Sequence, residues 1–599
     1  MADNLLVPRC RMKKYAKTFF ALLLFLRSVV LCHASLGISY DNNSGEATVT
    51  WTNGSPLSGL YGYGSLQEAS SLSGSNIWTG TGYGGGTGSV VFPAIGQQQF
   101  FRVSLTMPVF QFAMFYNMDL EIAAAQTLDI IGPVYSNDGL WSGSTTITFA
   151  STVSAVGLAT NTVYDPFCPG YSGSGKSTYS ITGQPTSGNP PLMLLLPSSG
   201  LVPSAESLIN LPPANYAMGT AAAFTTDGQT YLANAADLFL TNAASGTNFN
   251  SLRSVGNNMA LYYQDSANAP NYLAWATNDF YMFSNRIGSV FTIYATNVVP
   301  GFFLTNNLSG FKWTNNPTGT NQLFFAGYSF LTNVLFYDAR EGWHGGSGPA
   351  KSVQAVQIDV QKFNRWLTNS PPNSGSNYNH LSMSHKGHPI DSIYVFNGVS
   401  LTSTTLPAVR VTDGGSLPSA DGNYGFTLAT AMPLYIWGDY NVSNYFGSSI
   451  DQNNATYTSP AGFMADAITV LSDGWSDGNT GNQFSGGPTA ESTTINAACL
   501  AGIVESNTNN PASDGNGYSG GVENFLRTLE NWSPANGKQT LYYNGSMVAM
   551  FPSQYATNCW EQTGGYYTAP NRSWAFDTNF ENASGLPPLT PMVTGYIIK

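Results

Sequence analysis

Short runs of β-branched and aromatic residues, each closed within a few positions by Gly, Asn, Asp or Pro, recur along most of the chain and constrain its fold most strongly. Runs this short suit strands and not helices. In residues 36–106 the candidates are Ala47-Thr48-Val49-Thr50-Trp51, Gly88-Ser89-Val90-Val91-Phe92 and Phe100-Phe101-Arg102-Val103-Ser104-Leu105. The first and last alternate apolar with polar residues, the pattern of a half-buried strand. The middle one is a short apolar run closed by Pro93 and reads as buried on both faces. Gly62-Tyr63-Gly64 and the stretch Gly80 to Gly88 punctuate these strands, and the whole fits a small β-sandwich module.

From Met107 to Arg340 strand and turn alternate. Leu128-Asp129-Ile130-Ile131 runs into the turn Ser136-Asn137-Asp138-Gly139, and Thr145-Thr146-Ile147-Thr148-Phe149 follows. Turns at this spacing suit a sandwich or a β-solenoid with Asn and Gly at tight corners; no strict repeat period stands out, so the solenoid expected is irregular. Beyond Arg340, Val360, Phe363, Trp366 and Leu367 trace one helical face with Asp359 as N-cap. A polar loop spans Asn369 to Gly387, and strands return at Ser392-Ile393-Tyr394-Val395-Phe396 and Pro433-Leu434-Tyr435-Ile436-Trp437.

Composition narrows the class. Charged residues make up 9% of the 599-residue chain, against roughly 25% in ordinary domains. Yet 42% of residues are hydrophobic, which excludes a disordered chain. The first 34 residues hold six of the 21 basic residues and one of the 33 acids, leaving 15 bases against 32 acids beyond them. A chain so poor in bases has no electrostatic footprint for nucleic acid or anionic lipid.

Residues 1–34 read as a signal peptide. A basic stretch from Arg9 to Lys17 precedes the eight apolar residues Phe19 to Leu26, and Ala34 is the small residue before Ser35. Eight is well short of the roughly 20 that a membrane-spanning helix needs. Secretion or a cell-surface location is therefore expected, with no membrane span after leader removal. Beyond the leader lie Cys168, Cys499 and Cys559, an odd number that allows at most one internal disulfide.

Leu66-Gln67-Glu68-Ala69, then Leu72, Gly74, Trp78 and Phe100-Phe101-Arg102, resemble a small β-sandwich module common in secreted bacterial proteins. From residue 108 onward the chain resembles uncharacterised bacterial surface proteins described as type IV pilus-assembly-like. The marks include Phe115-Tyr116-Asn117-Met118-Asp119-Leu120-Glu121-Ile122, Asp338-Ala339-Arg340-Glu341-Gly342, Tyr518-Ser519-Gly520-Gly521-Val522-Glu523-Asn524-Phe525 and Asn571-Arg572-Ser573-Trp574-Ala575-Phe576-Asp577. The resemblance implies a surface role and carries no catalytic residue. Those proteins begin with a long pilin-like hydrophobic helix, where this chain has an export leader and a sandwich module.

Several segments have the look of chemistry. Gly170-Tyr171-Ser172-Gly173-Ser174-Gly175-Lys176-Ser177 matches the phosphate-binding loop, but neither a buried strand before it nor a helix after it is legible, so a Gly/Ser-rich loop is the better reading. His380, His385 and His388, with Asp391 near, have loop-borne imidazoles that can bind zinc, although the spacing matches no ligand pattern and a solvated loop is expected. Asp473 to Asn479 and Asp514 to Gly517 lack the full acid series of a calcium hand and read as turns. Trp343, Trp437, Trp475, Trp532 and Trp574 can stack on sugars if exposed, but Trp is more often buried. No catalytic, cofactor-binding or metal residue is assigned, and no cofactor.

The expectation is an all-β chain: signal peptide 1–34, small N-terminal β-sandwich module 35–106, then an irregular β-solenoid or β-helix-like body with a few short helices. That body divides into a first part, 107–350, and a C-terminal part, 351–599. The function expected is an exported structural or surface-assembly protein, pilus-related or adhesin-like and without catalysis, with a surface protein or glycan as partner. The alternative is a secreted polysaccharide-active enzyme or glycan-binding protein on a β-helix. A groove lined by several carboxylates or Trp faces distinguishes the second from the first.

Overall fold

The computed structural model describes the strands Ser35–Asp41, Glu46–Thr52, Tyr63–Ala69, Thr79–Gly84 and Thr87–Pro93, then residues 100–122, 126–161, 176–195, 204–217, 220–242, 259–263, 281–283, 291–295, 302–307, 310–315, 330–342, 350–368, 388–420, 423–443, 458–478, 488–507, 518–558, 560 and 566–598. These are mostly strands with few helices. The leader lies outside the described residues.

Parallel pairing dominates. Met114–Tyr116, Val134–Ser136 and Val153–Ala155 stack in register, as do Leu120–Ile122, Leu140–Ser142 and Ala159–Thr160. Leu128–Ile130, Ile147–Phe149 and Thr178–Tyr179 form a third such stack. Met114 faces Val134 and Leu120 faces Leu140, so a repeat of about twenty residues runs through this segment. Phe115-Tyr116-Asn117 matches Tyr135-Ser136-Asn137 at this spacing, a repeat that the sequence reading missed, and Asn137 Nδ2 donates to Asn117 Oδ1 at 2.8 Å.

A second run of parallel strands follows. Ser392–Asn397, Phe426–Thr430, Ala461–Ala465, Ala498–Ile503 and Met547–Pro552 are neighbours in a ten-stranded sheet. Its remaining strands are Leu238–Asn242 and Met259–Tyr263 at one end and the three strands beginning with Met114–Tyr116 at the other. Strand Met114–Tyr116 pairs directly with Met547–Pro552, so the two runs join in one sheet.

Two expectations are corrected. The N-terminal strands form no sandwich of their own. Ser35–Asp41, Glu46–Thr52 and Thr87–Pro93 make a three-stranded sheet, while Tyr63–Ala69, Thr79–Gly84 and Phe100–Pro108 enter a five-stranded sheet with Met193–Leu194 and Met592–Ile598. Strand Phe100–Pro108 has two hydrogen-bonding edges, and the second is filled from far along the chain. Nor is the body one irregular solenoid. Strand order in the ten-stranded sheet departs from chain order, the parallel sheets are of the sort seen in α/β proteins, and the described residues close neither a solenoid nor a sandwich. The run Gly88 to Phe92 also differs: Ser89 and Val91 are exposed and Val90 is buried, so it has one buried face.

The core follows from alternation. In the six-stranded sheet of Leu331–Asp338, Lys351–Asp359, Thr405–Thr412, Leu434–Trp437, Ile468–Leu471 and Leu526–Thr528, residues Val356, Ile358, Val409, Val411, Leu434, Ile436, Ile468 and Val470 join the main core. On the opposite face Val353, Ala355, Leu406, Ala408, Tyr435 and Leu471 pack into a second core with Phe336 and Trp475. The period of two sorts these two sets. The helix expected at Asp359 is present as Val360–Thr368, capped by Asp359 Oδ1 accepting from the Lys362 N–H at 2.9 Å, with Val360 and Phe363 fully buried.

Asparagines bind rung to rung at the strand ends. Asn441 Nδ2 donates to the Asn496 carbonyl and Asn496 Nδ2 to the Asn441 carbonyl, both at 2.9 Å, and Asn544 Nδ2 donates to Asn496 Oδ1 at 2.6 Å. All three are buried. Asn441 sits at φ 58°, a left-handed conformation that asparagine tolerates better than most residues. Asn496→Ala removes the hydrogen bonds that Asn496 makes with the Asn544 amide and the Asn441 carbonyl, and a loss of about 2 kcal/mol is expected in urea unfolding. An unchanged midpoint would show that this ladder contributes nothing.

Candidate functional site

Four adjacent parallel strands, Val134–Ser136, Met114–Tyr116, Met547–Pro552 and Ala498–Ile503, end on the same side of the ten-stranded sheet. Beyond their carboxyl ends lies an open crevice of about 610 Å³. That volume is in the range of small-ligand sites, and crevices at the carboxyl ends of parallel strands are where open sheets bind ligands. One wall brings Asp119, Glu121 and Asp138, and the other brings Glu505, Ser506 and Ser519. Four carboxylates thus meet from segments far apart in sequence.

Each wall is held by its backbone. Asp119 Oδ1 accepts from the Gly139 N–H at 2.8 Å, where a Cβ on residue 139 would sit 2.6 Å from that oxygen. Glu121 is buried, and its Oε2 accepts from Ser506 Oγ at 2.6 Å and Ser519 Oγ at 2.8 Å, tying the walls together. Burial raises the Glu505 carboxyl above its ordinary range, and the charge of Asp138 raises it further. Gly520, at φ 85°, lets the Ser519 loop turn against Trp560, whose ring a Cβ there would meet at 2.7 Å.

Behind the crevice buried charges brace these loops. Asp338 Oδ1 accepts from the Arg340 and Glu341 N–H groups, and Tyr435 Oη donates to Asp338 Oδ2 at 2.6 Å. Arg527 pairs with Glu341 and donates to the Ala556 carbonyl. Arg340 donates to Asn524 Oδ1 at 2.8 Å, and Asn524 donates to the Ser519 carbonyl at 2.8 Å. Asp466 accepts from the N–H groups of Gln554, Tyr555 and Ala556, and Glu530 accepts from the N–H and the hydroxyl of Ser472. Burial nevertheless pushes the Asp466 carboxyl up to about 6 and that of Glu530 up to about 7.

The segments singled out in the sequence fare differently. The phosphate-loop match fails where it is described. Ser177 is buried, its Oγ 2.6 Å from Ser142 Oγ, and the strand Thr178–Tyr179 follows where a helix is required. Residues 170–175 lie outside the described residues, as do His380, His385, Trp343, the stretch 514–517, Cys168 and Cys559. Asp477 holds Arg410 through both carboxylate oxygens, at 2.5 and 2.8 Å, and so is committed to an ion pair. Trp437 lies under the Arg410 guanidinium at 4.6 Å, Trp475 and Trp532 are buried, and Trp574 is half-buried beneath Arg572. Trp475 and Trp532 therefore offer no open face to a sugar. Cys499 is a buried free thiol, raised by burial to about 12. His388 and Asp391 do come together, with Asp237, distant in sequence, as a third member. Among the described residues no helix is long and apolar enough to cross a membrane.

No protein-family model matches the chain, and no curated protein or solved structure matches it.

Because Asp466 and Glu530 hold their protons more tightly folded than unfolded, their stabilising contribution is complete below about pH 4. It declines as pH rises through the folded values, about 6 and about 7. Thermal midpoints are therefore expected to fall between about pH 4 and about pH 7, and Glu530→Gln should flatten that fall. A slope unaltered by the substitution would exclude Glu530 as its source.

Proposed function

We propose that this chain works outside the cytoplasm as an adhesin-like surface protein that binds a neutral glycan in the carboxylate-lined crevice. The observation that supports the reading is the convergence of Asp119, Glu121, Asp138 and Glu505 on one open groove. Carboxylates and serine hydroxyls are the groups that pair with sugar hydroxyls, and a hydrogen bond to a charged group contributes roughly 1.5–3 kcal/mol. Among the described residues these acids do not form a cluster tight enough to hold a metal ion, which suits a ligand that spreads across them. The net charge of −12 repels acidic polymers, so the ligand is an uncharged glycan and not a polyuronate or sulfated chain. The leader-like residues 1–34 and the resemblance to bacterial surface proteins support the location.

A second reading, glycoside hydrolysis, is favoured by one feature: a carboxyl raised by burial beside a second carboxylate, as in Glu505 and Asp138. General acid catalysis uses such a pair. Isothermal titration of the full chain with soluble neutral oligosaccharides separates the two. Binding that weakens about tenfold or more in Glu505→Gln, without release of reducing ends, supports the adhesin-like reading. Reducing ends released by the native chain and abolished in both Glu505→Gln and Asp138→Asn would replace it with hydrolysis. Binding indifferent to Glu505→Gln and Asp119→Asn, or no binding by a folded chain, would remove both.

A further inference from the structure

Asp237 and Asp391 each immediately precede a strand of the ten-stranded sheet, Leu238–Asn242 and Ser392–Asn397, and these two strands are parallel neighbours with Leu238 opposite Ile393. The pairing sets the two aspartates side by side. Asp237 Oδ2 accepts from the Asp391 N–H at 2.9 Å, and the Asp237 N–H donates to Ser392 Oγ at 3.0 Å. His388 folds over them. Its Nε2 is 3.8 Å from Asp237 Oδ1, and its Nδ1 is 3.5 Å from Asp391 Oδ2. One donor atom from each residue lies within 4.8 Å of the other two.

The imidazole's own hydrogen bond decides what can occupy this space. His388 Nδ1 lies 2.7 Å from the Pro389 carbonyl oxygen, which can only accept, so Nδ1 carries a proton. In the neutral ring Nε2 then has its lone pair directed toward the Asp237 carboxylate, an acceptor facing an acceptor. At 3.8 Å the pair is well beyond the 2.7–2.9 Å of a charge-assisted hydrogen bond, so a shared proton does not account for the arrangement. A metal ion does. Zinc lies about 2.0–2.1 Å from imidazole nitrogen and about 2.0–2.2 Å from carboxylate oxygen, so a single ion bridges that gap at an open angle. Donation of the second ring N–H to a backbone carbonyl is the arrangement that orients metal-bound histidines.

We propose that Asp237, His388 and Asp391 form a zinc site with two carboxylate donors, one imidazole and one position open to water. Imidazole favours zinc and other late divalent metals over calcium and magnesium. The side chain of Asp237 is 2% exposed and that of His388 44%, so the ion sits at the surface with a buried anionic floor and its fourth position toward solvent. The bound ion clamps the segment beginning at His388 onto the ends of two core strands. This site is separate from the carboxylate crevice.

The test uses the full chain stripped with EDTA and titrated with Zn²⁺ alone. One ion per chain is expected, with a rise in thermal midpoint that grows with free zinc. His388→Ala changes a largely exposed side chain and should abolish both while circular dichroism is unchanged. The His380→Ala/His385→Ala double variant should retain them. In the Co²⁺-loaded chain, visible absorption should show nitrogen and oxygen ligation without a thiolate band. No stoichiometric binding, or binding retained in His388→Ala, overturns the proposal.

Discussion

The parallel pairing of Met114–Tyr116 with Met547–Pro552 is the contact on which the rest of the architecture depends. One edge of Met114–Tyr116 takes Val134–Ser136, one repeat of about twenty residues further on, and the other takes a strand more than four hundred residues away. Without the second pairing, both runs of strands would present an open edge of unpaired backbone groups. With it they form one sheet, and Ser546 Oγ donates to the Phe112 carbonyl at 2.6 Å across the join.

The crevice is a consequence of that seam. Chain segments leaving neighbouring strands at the join come from different parts of the sequence and diverge, leaving a gap that neither run could make alone. The gap is acidic because each run contributes its own acids, Asp119, Glu121 and Asp138 from one and Glu505 from the other. Holding unlike loops at such a place needs fixed anchors. The buried groups Asp338, Arg340, Glu341, Arg527 and Asp466 supply them through hydrogen bonds to the backbone of residues 554–556 and, through Asn524, to Ser519. Removing one partner from such a buried pair is strongly destabilising, because the other is left charged and unpaired.

What the sequence made legible was local. The cap at Asp359, the helix after it, the turn at Ser136 to Gly139 and the strands at Ala47, Phe100, Ser392 and Pro433 all depend on neighbours within a few residues, and all are present. The twenty-residue spacing of Asn117 and Asn137 was missed, because three short rungs give a weak period. The sheet partners of Phe100–Pro108 and the joining of the two runs could not be read, since strand pairing over hundreds of residues leaves no periodic trace. The same holds for the candidate sites. Glu121 and Glu505 meet only through tertiary structure, and His388 gained its third neighbour, Asp237, only because two parallel strands start side by side.

Hydrogen–deuterium exchange of the full chain, with and without a saturating neutral oligosaccharide, tests most directly whether the seam builds a binding site. Slowed exchange in residues 119–121 and 503–507 together, with the exposed face at Val91 unchanged, is the result this account predicts. Protection confined to one of the two segments, or to neither, would contradict a site shared between the two runs.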